Sequence, residues 1–446
     1  MLPWGDRFED FHDKVGISLE AFRDELTGTW LFNYVEALQS AGLQPVLYFF
    51  SARIGEPVRF PHRHTGAPIR VLPTPWLHRK LQAVRDRLRI RSPLFSSVRS
   101  YVATPWRALA RELRRDGCTA ILCQEYEYPR FDEAVMLGHA LKIPVFATYQ
   151  GGNRPGSALE RLVRPSAIRR ATGLVIASRA EARRVQSTYG LPIDRIAVIP
   201  NAFDVRRWRP VDRDAARSAV GIPVSAPVVV WHGRVEIHSK GLDVLLEAWE
   251  QVWASQPDLR PLLLVVGSGQ DRDALRRRLV RLPPDAVRWE NRWIYDRQLL
   301  WQYLSAADIA VLASRHEGFA VAVVEAMACG LPVVATDVSG VAEALGEDPA
   351  GVIVPPEDVA GLAAAVRRLL RDPSLRREMG LRARRRAEEH FSLEAVGDRL
   401  RAFMEDRGAV RGPGRRQSPS RCSTDHGLRG PRRSSPGPGT TGNGEA

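Results

Sequence analysis

Two glutamates eight positions apart, Glu317 and Glu325, are the residues of this chain best placed to do chemistry. A short apolar run ends just before Glu317, and Gly318 interrupts the chain before a helical pattern that carries Glu325. Carboxylates accept hydrogen bonds from hydroxyl groups, and the unpaired N–H groups at a helix start favour an anion such as a diphosphate. The segment therefore predicts half of a pocket for a phosphorylated, hydroxyl-rich ligand.

A second block with chemical potential lies upstream, at residues 228–243. A β-branched strand ends there in Gly233 and Arg234, and Lys240 opens an amphipathic helix six residues later. Arginine and lysine in these places converge readily on phosphates, one as a bidentate clamp and the other as a point charge. Lysine is rare in this chain, with four among 65 basic residues, so composition alone does not explain Lys240.

Strand and helix patterns that alternate along the whole chain must position these residues, and they predict an α/β fold with parallel sheets. Ligands of such sheets bind beyond the carboxyl ends of the strands, which is where Gly233, Arg234 and Glu317 are expected. A length of 446 residues suits two or three domains better than one. The predicted strands are at 15–19, 46–50, 120–123, 145–149, 174–177, 196–199, 228–231, 262–266, 309–313, 333–336 and 351–354.

These motifs resemble those of the retaining glycosyltransferases of family 4, where Glu317 and Glu325 match the family's E-x7-E motif. The resemblance is strongest over 228–340 and weakest over 55–115. It implies the GT-B fold, in which two Rossmann-like domains face each other across a cleft and a C-terminal helix crosses back to the first domain. The implied parts are an acceptor-binding domain at 1–204, a donor-binding domain at 205–390 and a crossing helix at 391–406, followed by a tail at 407–446.

The same resemblance implies transfer of a sugar from a nucleotide diphosphate sugar to an acceptor hydroxyl, with retention of configuration. Glu317 would contact the donor sugar, Glu325 would contact the ribose, and Arg234 and Lys240 would bind the diphosphate and stabilise its charge as the sugar leaves. The predicted catalytic residues are Arg234, Lys240 and Glu317. The predicted donor-binding residues are Gly28, Gly233, Arg234, Lys240, Gly318, Phe319, Ala320, Val321 and Glu325.

On the first-domain side, Gly28 resembles the family's glycine loop, and Gln150 stands where the family usually carries histidine. Glutamine can hydrogen bond but cannot take a proton as a base. For this family the favoured proposal lets a donor phosphate oxygen accept the acceptor's proton, so Gln150 would orient a sugar hydroxyl or the acceptor. Glu125 and Tyr126, which follow the strand at 120–123, are predicted to contact the acceptor.

Three alternatives to a transferase remain open at this point. The glutamine at position 150 permits a catalytically silent nucleotide-sugar-binding subunit that acts with a partner. A nucleotide-sugar epimerase could use the same fold, but its first-domain carboxylates are not identifiable in the sequence. A nucleic-acid binder built on the arginine-rich segments would bind in a salt-sensitive way that does not depend on Lys240.

No cofactor or metal ion is expected, because Arg234 and Lys240 already supply the positive charge that a cation would bring. The chain has two Asp-x-Asp spacings, Asp212/Asp214 and Asp271/Asp273, of the kind that binds a divalent cation in other sugar transferases. Both lie where a helix begins, so capping of the helix accounts for them. The nucleotide sugar is therefore a substrate rather than a cofactor.

The net charge of +14 is concentrated in two segments. Residues 79–115 carry +9 and residues 407–446 carry +6, so the rest of the chain is nearly balanced and specific binding of nucleic acid is not expected. The first segment mixes basic, aromatic and apolar residues at partly helical spacing, which predicts peripheral contact with an anionic membrane. A solvated arginine-rich helix is the alternative. The second segment, rich in Pro, Gly, Ser and Arg, is predicted to be disordered.

Cysteine usage and the N-terminal residues predict a cytoplasmic protein, at the inner face of the cell membrane if 79–115 binds lipid. Four cysteines without metal-ligand spacing suit a reducing compartment. Charged residues stand at 6–10, where a signal peptide needs an apolar core. The expected partners are a nucleotide-sugar donor and a glycan, lipid-linked or small-molecule acceptor.

Overall fold

The computed structural model describes residues 1–410, apart from 16, 27–29, 150–155, 293, 295–296 and 348–349. Gly28 and Gln150 lie outside the described residues, as does the predicted disordered tail from residue 411 onward. None of the described helices combines the length and apolar character needed to cross a bilayer.

Strands and helices alternate along the described chain. The strands are β1 (Leu47–Ser51), β2 (Val58–Pro61), β3 (Pro68–Pro73), β4 (Ile121–Cys123), β5 (Val145–Tyr149), β6 (Gly173–Ile176), β7 (Ile196–Val198), β8 (Val228–His232), β9 (Leu262–Val266), β10 (Val287–Glu290), β11 (Ile309–Leu312), β12 (Val333–Thr336) and β13 (Gly351–Val354). The α-helices are α1 (Phe8–Val15), α2 (Leu19–Asp24), α3 (Trp30–Ser40), α4 (Trp76–Leu88), α5 (Pro93–Tyr101), α6 (Trp106–Arg115), α7 (Pro129–Leu141), α8 (Ala158–Arg170), α9 (Arg179–Tyr189), α10 (Arg213–Val220), α11 (Leu242–Ala254), α12 (Arg272–Leu279), α13 (Arg297–Ser305), α14 (Val321–Ala328), α15 (Val341–Leu345), α16 (Val359–Arg371), α17 (Pro373–Phe391) and α18 (Leu393–Glu405).

The second-domain sheet is parallel throughout, with the strand order β10-β9-β8-β11-β12-β13. Every residue of β8, β9, β11 and β12 is buried, as expected where helices cover both faces of a parallel sheet. The chain runs from β8 to β9 on one side and returns to β11 on the other. The carboxyl ends of β8 and β11 therefore form a topological switch point, the usual place for a ligand in such sheets.

The first-domain sheet is completed by residues 1–3, which lie between β1 and β4. The Leu2 N–H donates to the Leu122 carbonyl (2.8 Å), and the Tyr48 N–H donates to the Met1 carbonyl (3.0 Å). These contacts join the β2-β3-β1 strands to the β4-β5-β6-β7 strands in one sheet. Strand order reverses on the two sides of Leu2, so this sheet has a switch point of its own.

The predicted strand at 15–19 is wrong, because Val15 ends α1 and Leu19 begins α2. Ser18 caps α2 by accepting from the Ala21 N–H, and Phe22 of α2 packs edge-on against Phe49 of β1 (5.1 Å between ring centroids). The strands β2, β3 and β10 were not predicted at all. Each mixes arginine with apolar residues and is only partly buried, so no continuous apolar run marks it in the sequence.

The C-terminal helices return the chain to the first domain. α17 packs on α14 in the second domain, and α18 packs on α3 in the first. Gly397 permits the close approach of α18, since a Cβ there would lie 2.0 Å from the Ala37 carbonyl oxygen. The Arg401 guanidinium donates to the Ala41 carbonyl at 2.6 Å. The predicted disordered tail at 407–446 begins too early, because residues 407–410 continue this packing: Ala409 is 3% exposed, and the Arg407 guanidinium lies over the Phe403 ring.

A buried acid in the first domain gives the fold a predicted pH dependence. Burial raises the pKa of Glu133 to about 8, although Thr104 and Trp106 donate hydrogen bonds to it. Since the folded state then holds a proton that the unfolded chain releases near pH 4.5, this stabilisation is complete below pH 4.5 and is lost as pH rises to about 8.

We therefore expect Glu133→Gln to flatten the pH dependence of stability between pH 5 and 8. The wild-type free energy of unfolding should lose up to about 1.4 kcal/mol per pH unit through this group. Urea unfolding at several pH values measures the free energy of unfolding of the wild type and of Glu133→Gln, and the difference between the two should be smallest near pH 4.5. Parallel curves across the whole range would contradict the assignment.

Candidate active site

Glycines at the carboxyl ends of β8 and β9 bring two backbones into direct contact. The Gly233 N–H donates to the Val266 carbonyl at 3.1 Å. Gly267 has φ +138°, and a Cβ there would lie 1.9 Å from the Gly233 carbonyl oxygen. Only glycine fits this approach. Beside the switch point the backbone is therefore not covered by side chains, so a ligand can approach it closely.

Lys240 and Glu317 meet at this edge of the sheet. The Lys240 Nζ lies 2.8 and 2.9 Å from the two carboxylate oxygens of Glu317, although 77 positions separate the residues in sequence. Ser314, at the end of β11, donates its hydroxyl to Glu317 Oε1 at 2.6 Å. The side chains of Lys240 and Glu317 are 20% and 11% exposed, so the ion pair is held in place yet reachable by a ligand. The structure thus brings together the two motifs that the sequence placed far apart.

Arg315 binds the loop that carries Lys240, a role that the sequence did not predict. Its guanidinium donates to both carboxylate oxygens of Asp243 (2.8 and 3.0 Å) and to the His238 carbonyl (2.8 Å). Burial alone would raise the pKa of Asp243, but hydrogen bonds and charge from Arg315 outweigh it and lower the pKa. Asp243 follows Lys240 by three residues and Arg315 precedes Glu317 by two, so nearness to the motifs was the only available signal.

Glu325 is paired with His232, the last residue of β8. The imidazole Nε2 lies 2.8 Å from Glu325 Oε2. The two side chains are 8% and 13% exposed. The pair holds the Glu325 carboxylate against the end of β8, so both glutamates of the E-x7-E motif converge on the switch point. The sequence analysis predicted Glu325 but assigned no role to His232.

Arg234 lies apart from the Lys240–Glu317 pair in this structure. Its side chain is 61% exposed, and its guanidinium pairs with Glu236 at 3.0 Å. Arg234 follows Gly233 directly, so its backbone is fixed at the glycine contact while its side chain projects toward solvent.

The loop after Glu317 leads into α14 without a side-chain cap. Gly318 is partly exposed, Phe319 and Ala320 are buried, and Val321, which begins α14, is 40% exposed. Ala320 stands at the N-cap position and has no side-chain acceptor to offer the first N–H groups. Two of these N–H groups are already used, since the Val321 N–H donates to the Phe319 carbonyl (2.8 Å) and the Val323 N–H donates to the Ala320 carbonyl (3.0 Å). What suits an anionic ligand here is the positive end of the α14 dipole.

The two domains meet in a cleft that contains Phe319. Its cavity of about 920 Å³ is lined by both domains. Ser178 and Ser339 approach across it, with 3.0 Å between their hydroxyl oxygens. Beside them, the Arg179 N–H at the start of α9 donates to Glu343 Oε1 at 2.8 Å. Of the candidate donor-site residues, Phe319 lines this cavity, whereas Arg234, Lys240, Glu317 and Glu325 do not.

Of the predicted acceptor contacts, Glu125 and Tyr126 follow β4 as expected but point into the domain. Tyr126 is 1% exposed, and its hydroxyl donates to Glu181 Oε1 at 2.9 Å. Glu125 is also buried and has a left-handed backbone, with φ +69°. Neither side chain offers a surface to an acceptor in the cleft, because both follow the strand into the interior. The remaining two first-domain residues, Gly28 and Gln150, lie outside the described residues.

The Asp-x-Asp spacings were expected to be helix caps, and one of them is. Asp212 caps α10 by accepting from the Ala215 N–H at 2.8 Å. The prediction for Asp271 is wrong in detail, because its carboxylate accepts from the Ile237 N–H at 2.8 Å instead of capping α12. Across residues 1–410, outside the gaps named above, no three His, Cys, Asp or Glu side chains come together as metal ligands do.

Two family models match this chain and identify its family. Residues 27–207 match the family model described as Glycosyltransferase Family 4, and residues 226–372 match the one described as Glycosyl transferases group 1. The chain belongs to glycosyltransferase family 4. Gly28, Gln150 and the acceptor residues fall in the first match, and every second-domain site residue falls in the second.

Curated relatives in this family act on several acceptors. The chain is 35% identical over 265 residues to the D-inositol 3-phosphate glycosyltransferase of Geodermatophilus obscurus, which covers 56% of each chain. It is 33% identical over 234 residues to a GDP-mannose-dependent monoacylated alpha-(1-6)-phosphatidylinositol monomannoside mannosyltransferase of Corynebacterium glutamicum, covering 50% of this chain and 59% of the relative. The match thus spans little more than half the length of these relatives.

Solved structures of known transferases confirm the GT-B fold. The Anabaena HepE structure in complex with UDP has a TM-score of 0.64 at 17% identity, covering 86% of this chain and 98% of that one. Sucrose-phosphate synthase from Thermosynechococcus elongatus has a TM-score of 0.60 at 21% identity, covering 86% and 95%. At these identities the likeness shows the fold and leaves the ligands to chemical argument.

Proposed function

We propose that this protein is a retaining, metal-independent glycosyltransferase that moves a sugar from a nucleotide diphosphate sugar to an acceptor hydroxyl. The observation that carries the proposal is the Lys240–Glu317 pair at the switch point of the second sheet. An ammonium, two carboxylates and an uncapped helix start stand together there, and a nucleotide sugar offers a matching diphosphate, sugar and ribose.

Donor binding would begin with exchange of partners at Lys240. The diphosphate competes with Glu317 for the Lys240 ammonium, and the positive end of the α14 dipole favours the anion further. Release from Lys240 leaves the Glu317 carboxylate free to accept hydrogen bonds from the sugar hydroxyls. Glu325, oriented by His232, would accept from the ribose hydroxyls in the same way.

Catalysis would rest on charge stabilisation rather than on a protein base. The acceptor oxygen bonds to the anomeric carbon on the face from which the phosphate oxygen departs, and the acceptor's proton passes to that oxygen. The products are a glycoside of unchanged configuration and a nucleoside diphosphate. Negative charge grows on the diphosphate as the bond breaks, so Lys240, held by Arg315 through its loop, stabilises the transition state more than the ground state.

The substrates named for relatives and structural neighbours support this choice of substrate. HepE holds UDP, and the Corynebacterium relative is named for GDP-mannose. The named acceptors are an inositol phosphate and a glycosylated phosphatidylinositol, which share a polyol that bears hydroxyl groups. We infer an acceptor of the same general kind, a hydroxyl-bearing small molecule, glycan or lipid head group.

A donor panel tests the proposal. Purified protein is incubated with UDP-, GDP-, ADP- and dTDP-sugars in EDTA, and nucleoside diphosphate release and donor binding are measured in the same samples. Slow release from one donor supports a metal-independent transferase and identifies its nucleotide. Binding of a donor without release, with acceptors of every class supplied, would instead favour a silent subunit, and no binding to any donor would overturn the site.

We also propose that α4 and α5 contact an anionic membrane. Apolar side chains stand outward on these helices, with Trp76 62%, Leu88 65% and Leu94 52% exposed. Arg87 and Arg91 are exposed among them. An outward face that mixes large apolar groups with arginines suits the boundary between lipid head groups and acyl chains. Contact there would place a lipid-linked acceptor beside the first domain.

Charged substitutions on this face should abolish vesicle binding. In Trp76→Asp/Leu88→Asp, we expect binding to vesicles with 30% anionic lipid to fall at least about 10-fold. Two apolar side chains that would enter the membrane are lost, and two negative charges that the anionic lipid repels are added. Vesicle co-sedimentation measures it. Leu381→Asp is the matched control, since Leu381 is 64% exposed on α17 of the second domain. Equal sedimentation of all three proteins, or none by the wild type, would contradict the contact.

A further inference from the structure

Arg315 lies between two carboxylates just beyond the carboxyl end of β11. Its guanidinium donates to both oxygens of Asp243 (2.8 and 3.0 Å) and to both oxygens of Glu357, with 2.7 Å to Glu357 Oε2. The Arg315 side chain is 12% exposed, and bidentate pairs of this kind are among the strong hydrogen bonds of proteins. The contact with Asp243 holds the Lys240 loop. Glu357 belongs to a different loop, between β13 and α16, so its contact with Arg315 needs another explanation.

Glu357 reaches Arg315 from an unfavourable backbone conformation. Its φ is +67°, in the left-handed region that is strained for residues other than glycine. The Glu357 side chain is 59% exposed, and an exposed ion pair contributes little to stability. Backbone strain of this kind concentrates at functional sites. The contact therefore indicates a role for Glu357 and Arg315 at the neighbouring site rather than in folding alone.

Negative charges surround the Lys240 ammonium, which the proposed function assigns to the diphosphate. Glu317 accepts from the Lys240 Nζ at 2.8 Å, and Asp243 follows Lys240 by three residues. The Arg315 N–H donates to the carbonyl of the residue just before Lys240 at 3.0 Å. This hydrogen bond and the chain connections keep Asp243 and Glu357 near the ammonium. Charges that are partly buried are screened by salt much less than exposed ones.

Arg315 keeps the two outer carboxylates from acting on Lys240. Because its guanidinium pairs with Asp243 and Glu357, neither carboxylate is left to capture the Lys240 ammonium or to repel an approaching diphosphate. Arg315 also lowers the pKa of Glu357, chiefly through its hydrogen bonds, so this carboxylate stays charged and paired. Without Arg315, both carboxylates would lose their counter-charge. An anionic ligand would then be repelled by both.

We propose that these three residues, the Arg315 triad (Asp243, Arg315 and Glu357), set the affinity of the donor site for a diphosphate through their net charge, without contacting it. Arg315 is thus a positioning residue that acts through charge as well as through the Lys240 loop. The two carboxylates limit the affinity in turn, because a guanidinium without them would attract the diphosphate and retain the product. The inference rests on the proposed transferase function and specifies how its donor site binds and releases an anion.

Asp243→Asn/Glu357→Gly separates this role from support of the Lys240 loop. Asparagine can still accept a hydrogen bond from Arg315, and glycine suits a φ of +67°, so the loops should stay folded. Since two negative charges are removed, inorganic diphosphate should bind at least about 3-fold tighter than in the wild type. If Arg315 only supports the loop, loss of its partners should leave the affinity unchanged or lower it. Isothermal titration calorimetry with inorganic diphosphate, UDP, GDP and ADP measures the affinities.

Arg315→Met should have the opposite effect. Two carboxylates then lack their counter-charge, and we expect inorganic diphosphate to bind at least about 10-fold more weakly. Adding Asp243→Asn and Glu357→Gly to the same chain should restore the affinity to within about 3-fold of the wild type. With a donor that the wild type uses, Arg315→Met should raise KM about 10-fold and change kcat less than about 3-fold, since the repulsion acts on the ground state and the transition state alike.

Arg213→Met is the matched control. Arg213 also pairs with a carboxylate at 2.7 Å, that of Asp308, but this pair lies at the opposite end of β11. The control should therefore bind inorganic diphosphate as the wild type does.

The possible results distinguish this inference from the proposed function. Diphosphate binding by Asp243→Asn/Glu357→Gly no tighter than the wild type's would overturn the inference, and this variant decides if Arg315→Met does not fold. Wild-type affinity in Arg315→Met, or no recovery in the triple variant, would also overturn it. If inorganic diphosphate binds with the expected charge dependence but no nucleotide sugar binds, only the proposed function falls. If the wild type binds neither diphosphate nor any nucleoside diphosphate, both fall.

Discussion

Lys240→Ala is expected to lower nucleoside diphosphate release by about 10²–10³-fold while the protein stays folded. The Lys240 ammonium is held at the switch point by Glu317, and a preorganised donor aimed at developing charge is worth about that factor. Its removal also leaves the Glu317 carboxylate without its partner at 2.8 Å, and that carboxylate would then repel the diphosphate. The measurement is release from the donor that the wild type uses, in EDTA, with circular dichroism to check folding.

A matched lysine shows whether the effect is specific. Lys142→Gly removes an ammonium at the C-cap of α7, where φ is +57° and glycine is well tolerated, so release should be unchanged. Lys240→Arg keeps the charge but replaces a compact ammonium by a wider planar fork, and we expect an intermediate loss. Release by Lys240→Ala within twofold of the wild type would show that the diphosphate binds elsewhere.

Gly241→Ala is expected to have the largest effect on stability, destabilising the second domain by more than about 3 kcal/mol. Gly241 has φ +58°, and a Cβ there would lie 1.8 Å from the Ala313 carbonyl oxygen, which is backbone that cannot rotate away. The loop at 238–241 and the end of β11 must then separate. Because the same contact positions Lys240 beside Glu317, donor binding should be lost together with stability.

Gly221→Ala provides the comparison that isolates the clash. Gly221 lies in the same domain with φ +66°, but its Cβ would meet only an Arg288 nitrogen at 3.7 Å, an ordinary contact. It should cost about 1 kcal/mol, the strain of a left-handed alanine. Thermal unfolding measures both, with about 2–4 °C expected per kcal/mol. Equal melting temperatures for the two variants would mean that β11 and the loop are not packed as described.

The fold followed from the sequence where strands were continuous apolar runs. β8, β9 and β12, whose residues are all buried, lie within one residue of their predicted bounds. A parallel strand covered on both faces must be apolar throughout, so its burial appears in the sequence as a continuous apolar run. The edge strands β2 and β10 gave no such signal, because partial exposure lets arginine and glutamate alternate with apolar residues. The N-terminal error had another cause: a short apolar stretch cannot by itself distinguish a strand from a helix.

The candidate site was predicted in part. Glu317, Glu325, Arg234 and Lys240 were identified from their residue types and from the strand ends beside them, and their roles stay predictions. The pairing of Lys240 with Glu317 and of Glu325 with His232 was not predictable, because these residues are 77 and 93 positions apart. Tyr126 shows the converse, since its place after β4 was right while its burial could not be read from the sequence.

The sequence by itself indicated an α/β protein with its candidate chemistry at strand ends, and the resemblance of its motifs to family 4 glycosyltransferases implied the GT-B fold. Local spacing is enough for the α/β pattern, because strand burial, helix starts and glycine turns each depend on a few neighbouring residues. Only the tertiary structure decided that Lys240 faces Glu317, that His232 pairs with Glu325, and that Arg315 fixes the Lys240 loop. Those facts depend on which distant strand ends lie side by side. Parallel crossover connections set that strand order, and short stretches of sequence do not reveal it.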